Sequence, residues 1–140
     1  MKTLILIILV VVGVLLMFWP KDKKVEIINL PLKIEVANTD TKRVKGLSGR
    51  ENLPQDAGVL FIFEKPDKYG FWMKDMNFAI DIVWLDETGE IVHLEKNVAP
   101  ATYPEIFYPS AAAIYVLETN AGFFGTQNIR VGERLQIKGL

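Results

Sequence analysis

From Leu4 to Trp19 the chain reads LILIILVVVGVLLMFW, a run without one polar side chain. Such a run has no stable place in water, so it divides the 140-residue chain into a membrane-seeking segment and a remainder that must fold. The run is shorter than the ~20 residues that span a bilayer comfortably and longer than the ~7–15 of a typical signal core. Cleavage calls for small residues near its end, whereas Leu16, Met17, Phe18 and Trp19 are all bulky. Trp19 suits the membrane interface, and Lys21, Lys23 and Lys24 suit the headgroups. We read residues 1–24 as an uncleaved signal-anchor with its basic flank and residues 25–140 as one domain. Lysines flank the run on both sides. Their number favours a cytoplasmic domain, but an amino terminus of only three residues usually stays inside. The expectation is a single-pass protein of the cell membrane with its domain outside the cytoplasm.

Composition removes several classes of chemistry. The chain has no cysteine, which excludes thiol nucleophiles, disulfides, thiolate metal sites and lipoprotein processing. Its single histidine, His93, excludes a metal site that needs two imidazoles from one chain, and no cofactor is expected. Residues 25–140 carry 12 Lys+Arg against 16 Asp+Glu, interspersed and without a basic stripe. Nucleic acid is therefore not an expected partner. No Gly-x-Ser-x-Gly elbow, dinucleotide-binding glycine fingerprint or Walker loop occurs. Asp86 to Glu90 is acidic but lacks the ligand spacing of a calcium loop, and reads as a hairpin turn.

The periodicity of the domain is mostly that of strands. Leu32-Lys33-Ile34-Glu35-Val36 alternates, as a half-buried strand does. Val59 to Phe63 is continuously apolar and short, the pattern of a strand covered on both faces. Further strands are expected at Tyr69–Lys74, Ile80–Leu85, Glu90–Val98, Ala112–Leu117 and Leu135–Lys138. Thr39 to Lys45 is the one helix expected, with Thr39 as its cap and Gly46 closing it. These elements predict a mainly β domain, an antiparallel sandwich or barrel with one short helix.

Charges set among apolar residues mark the candidate site. Asp81 shares a face with Val83 and Leu85, and Glu118 shares one with Ile114 and Val116. Arg50 follows the turn Gly46-Leu47-Ser48-Gly49, and Lys74 shares a face with Trp72. Arg50, Lys74, Asp81 and Glu118 could converge, either as a structural ion-pair network or as the polar side of a ligand cleft. Asp81 and Glu118 could alternatively serve as the acid and base of a hydrolase if their separation allowed it. The stretch Ala99–Pro109 holds three prolines and the aromatics Tyr103, Phe107 and Tyr108, which could stack on a sugar, grip a peptide or simply plug one end of the sheets.

Three stretches stand out in order along the chain: Gly46-Leu47-Ser48-Gly49-Arg50; Gly58-Val59-Leu60-Phe61 continuing to Phe71-Trp72-Met73-Lys74 and Ala79-Ile80-Asp81-Ile82; and Tyr115-Val116-Leu117-Glu118 with Ala121-Gly122. With them the chain resembles the DUF192 (COG1430) family of small bacterial and archaeal proteins. The family's usual Met after Gly-Leu is Ser48 here, its Asn-Thr after the tryptophan motif is Asp75-Met76, and its Pro before Leu-Asp is Ala79. The resemblance implies a compact, jelly-roll-like β domain, often behind a signal or anchor. It implies no activity.

The expectation is a membrane-anchored binding or accessory module of the cell envelope. Its ligand would be a small polar molecule, a saccharide or an envelope protein. Arg50, Lys74, Asp81 and Glu118 would supply polar contacts, with Trp72 and Tyr103 as walls. The alternatives are the paired-carboxylate hydrolase and a purely structural, partner-binding protein.

Overall fold

A computed structural model of the protein describes residues 24–140. The apolar run at residues 4–19 lies outside them, and among the described residues no helix is long and apolar enough to cross a membrane. The domain is mainly β, with antiparallel and mixed pairing and two short helices. In chain order the elements are β1 (Glu26–Ile27), β2 (Lys33–Ala37), α1 (Asp40–Lys45), β3 (Ala57–Asp67), β4 (Phe71–Trp72), β5 (Ile80–Leu85) and β6 (Ile91–Val98). After a 3-10 turn at Pro100–Thr102 come β7 (Ile106–Phe107), β8 (Ala113–Asn120), α2 (Phe123–Thr126) and β9 (Ile137–Lys138).

Five strands form the central sheet in the order β2-β3-β8-β5-β6. Two ribbons, β1–β9 and β4–β7, complete the described pairings. The antiparallel expectation holds for every strand pair but one. β2 and β3 run parallel, because residues 38–56, with α1 among them, cross over before the chain returns. Thr39 caps α1, accepting from the Lys42 amide at 3.3 Å, as its place before Asp40 predicts. The second helix, α2, was not expected: Phe-Phe-Gly-Thr has no cap residue and too few turns for a periodic signal.

Both faces of the sheet are covered. One carries Val59, Phe61, Ile80, Ile82, Trp84 and Val116; the other carries Leu60, Val83, Leu85, Leu117 and Phe124. Alternate residues of β3, β5 and β8 thus enter opposite cores, as strands near the middle of a covered sheet require. Phe71 and Phe107 of the β4–β7 ribbon pack against the first core, and Ile27 and Ile137 of the β1–β9 ribbon belong to the second.

Candidate functional site

A cleft of about 330 Å³ opens on the first face, between α1 and β4. Its α1 wall depends on Gly46, which ends the helix at φ 45° and donates its amide to Lys42 O at 2.8 Å. That φ suits glycine, and a Cβ here would lie 3.0 Å from Phe61 Cζ, so glycine also lets the turn rest on the Phe61 ring. Ser48 Oγ donates to Lys74 O at 2.9 Å and the Gly49 amide donates to Asp75 O at 2.8 Å, tying this wall to the segment leaving β4.

The opposite wall is held from below. Trp84, wholly buried on β5, donates Nε1–H to Tyr69 O at 2.9 Å, and the Phe71 ring stands edge-on to both Phe61 and Trp84. Tyr69 stacks on Phe63 with ring centres 3.5 Å apart. The Arg43 guanidinium lies 5.4 Å from the centre of the same Phe63 ring, donates to Ile62 O at 2.8 Å and pairs with Asp40. The cleft is therefore walled by rings whose positions are set by packing and by hydrogen bonds to backbone.

Glu118 is the one carboxyl among the lining residues. It sits on β8 opposite Val59 of β3 and Ile82 of β5, so it shares their face. It is 5% exposed and makes no hydrogen bond or ion pair among the described residues. Burial pushes its carboxyl up to about 8, against the smaller pull of the Arg50 charge. At neutral pH the group is mostly the protonated acid, with one donor and spare acceptor capacity facing the cleft.

The other expected site residues separate into different places. Trp72 lines the cleft beside Glu118. Lys74 lies outside, its ammonium 5.7 Å from the centre of the Trp72 ring, and Tyr103 meets that ring edge-on at 5.8 Å. Arg50 stands in a neighbouring recess with Lys45 and Gly46, its Nη2 bridging both Glu35 oxygens at 2.8 and 2.9 Å. That hydrogen bond and charge hold the Glu35 carboxyl below its ordinary range.

Asp81 is elsewhere. It pairs with Thr119 while Glu118 pairs with Ile82, so the two carboxyls leave opposite faces of the sheet. Its oxygens accept three backbone amides, from Asn97 at 2.8 Å and from Gly122 and Phe124 at 3.1 Å. Asp81 organises the chain around α2 and the end of β6. The expected convergence is thus corrected for Asp81, while the Arg50 charge still reaches Glu118; the acid–base pair is corrected with it, because Asp81 and Glu118 leave opposite faces. Asp81 has no cation beside it among the described residues, because neutral amides already satisfy it.

Arg43, Phe63 and Tyr69 had no part in the sequence-based site. The alternation of Phe61 with Phe63 placed both rings on one face, but the Phe63–Tyr69 stack depends on β3 running to Asp67 before the chain turns. His93 is half-buried; its Nε2 lies 3.0 Å from Glu95 Oε1 and its ring meets Trp84.

Comparison with known proteins places this geometry among relatives. The family model DUF192, described as "Uncharacterized ACR, COG1430", matches residues 22–137. A UPF0127 protein of Thermococcus sibiricus is 27% identical over 106 residues, 74% of this chain, and the chain spans 64% of that curated relative's length. A crystal structure from Sinorhizobium meliloti 1021, described as that of a candidate transcription regulator, has a TM-score of 0.73 at 30% identity, covering 78% of this chain and 84% of the other. A protein of unknown function from Novosphingobium aromaticivorans gives 0.71 at 25% identity, covering 75% and 74%.

Proposed function

The chain belongs to the DUF192 family, and we propose that its domain binds a saccharide ring in the cleft while residues 4–19 hold it at the outer side of the cell membrane. The observation that carries the binding reading is Glu118, a buried acid without a partner at the floor of an aromatic-walled cleft. Its oxygens are not sealed from solvent, so water can bond them when the cleft is empty and a ligand hydroxyl can take the place of that water. A sugar ring has apolar C–H faces and a polar edge. The faces match Trp72 and the side of Tyr69 turned away from Phe63, and the edge matches Glu118, Ser48 and Lys45 around the same cleft. The volume is that of a small-molecule site.

The membrane attachment in this reading is supported by the apolar run of residues 4–19 with Trp19, Lys21, Lys23 and Lys24 at its end. The regulator description of the Sinorhizobium meliloti protein finds no counterpart in the charge of this domain, whose acidic residues outnumber its basic ones.

Calorimetric titration of the full chain tests the reading, in a detergent without a sugar headgroup, against glucose and N-acetylglucosamine. Millimolar binding is expected, weakened about tenfold by Glu118→Ala and unchanged by Asp81→Asn. Absence of heat with both sugars, or binding indifferent to Glu118→Ala, overturns it. Protease added to intact cells should remove the domain; a domain cut only after lysis would reverse the orientation.

A further inference from the structure

We propose that the exposed face of the β4–β7 ribbon continues the cleft, so that the ligand is the end of a glycan chain rather than a free sugar. The inference rests on the saccharide reading of the cleft and adds a second binding surface to it. In the ribbon Phe71 pairs with Phe107 and Trp72 with Ile106. Phe71 and Phe107 turn into the core, so Trp72 and Ile106 turn outward. Tyr108, two residues beyond Ile106, joins that outer face.

Gly70 explains why these side chains lie close to the backbone. A Cβ at Gly70 would stand 2.6 Å from Ile106 Cγ2 and 2.6 Å from Tyr108 Cε1, so both side chains occupy the space that any other residue would fill. Ile106 and the Tyr108 ring are thereby laid against the ribbon at Gly70. Exposure remains high: 49% for Trp72, 45% for Tyr103, 42% for Ile106 and 56% for Tyr108. Three aromatic rings and an isoleucine exposed on one small surface exceed the scattered apolar residues of an ordinary exterior.

Trp72 decides what this surface is for. Trp72 lines the cleft and is half exposed on the outer face, so a ligand leaving the cleft over that rim meets Tyr103 beside its ring, or Tyr108 across from Gly70 on the other side. Lys74 beside Trp72 brings a hydrogen-bond donor to the same path. A surface of rings with sparse polar groups, reached from a closed-floored cleft, fits a polymer bound by its terminus. The terminal ring would sit over Glu118 and the following rings would stack on the ribbon.

Calorimetry on the full chain, in the same sugar-free detergent, with β-1,4-linked glucose and N-acetylglucosamine oligomers of one to four units, tests this. Affinity is expected to rise about tenfold or more from one unit to three. Tyr103→Ala combined with Tyr108→Ala should remove that rise and leave single-ring affinity unchanged, because neither residue lines the cleft. Equal affinity for one and three units, or a rise that survives the double variant, overturns the extension while leaving the cleft reading intact. If no oligomer of either series binds, both readings fall together.

Discussion

Glu118→Gln removes one titration and almost preserves the shape of the cleft floor, so its effect on stability is expected to depend on pH. The folded carboxyl gives up its proton near pH 8, whereas in the unfolded chain it does so near the ordinary value of 4.5. Below pH 4.5 both states hold the proton and the group costs nothing. Between 4.5 and 8 only the unfolded chain loses it, so stability falls as pH rises, by up to about 1.4 kcal/mol per pH unit. The loss reaches about 3 kcal/mol at pH 7 and about 4 kcal/mol at pH 8, then levels off at about 5 kcal/mol above pH 9. Against a typical domain stability of roughly 5–15 kcal/mol, this is a large fraction. Glu35 and Asp86 behave oppositely. Their carboxyls are held below the ordinary range, so their contribution is present above it and lost as pH falls. The wild-type minus Glu118→Gln difference therefore isolates Glu118. Urea unfolding of residues 24–140, followed by tryptophan fluorescence from pH 5 to 9, should show a declining wild-type midpoint and a Gln variant without that decline. At pH 8 and above the variant should be the more stable protein. Parallel curves would refute the reasoning, because they would mean that the folded carboxyl ionises as freely as an exposed one.

Arg50→Met should extend the falling part of the same wild-type curve above pH 8, since the Arg50 charge opposes the burial of Glu118; loss of the half-exposed Glu35 pair itself should cost no more than about 1 kcal/mol in urea unfolding. Asp81→Asn places an amide NH2 where three backbone amides donate, and should destabilise the domain by about 3 kcal/mol at neutral pH, with cleft binding per folded molecule unchanged. Trp84→Phe empties part of the core and leaves Tyr69 O without its donor; a loss of about 2–4 kcal/mol is expected, with faster amide hydrogen exchange across residues 69–72 than in β8.

The legible parts of the fold were those whose signals are local. Alternation in residues 32–36, the apolar block at 59–63 and the capped helix before Gly46 all lie within one element, and each appears within a residue or two of its expected place, β3 running further. Two-residue strands carry no period, so β1 and β7 had no signal of their own, and Tyr69–Lys74 shrank to Phe71–Trp72. The parallel pairing of β2 and β3 depends on which way residues 38–56 cross, which neither strand's pattern records.

The site was half legible for a sharper reason. The side-chain pattern placed Asp81 on one face of its strand and Glu118 on one face of another. Whether those faces coincide depends on the register between β5 and β8, and a shift of one residue reverses the answer. Trp72 and Glu118 both line the cleft. Asp81 was misgrouped because a carboxylate satisfied by three amides and a carboxyl left without a partner look identical in sequence.

The pairing of β1 with β9, Glu26 opposite Lys138, brings the two ends of the described chain to one corner. That ribbon packs into the core on the face away from the cleft, so the five-stranded sheet stands between the corner and the cleft like a bulkhead. A load applied at both ends would open the short ribbon one residue pair at a time, leaving the strands beneath Glu118 unstressed. A second domain joined at either end would arrive behind the sheet, leaving the mouth of the cleft unobstructed.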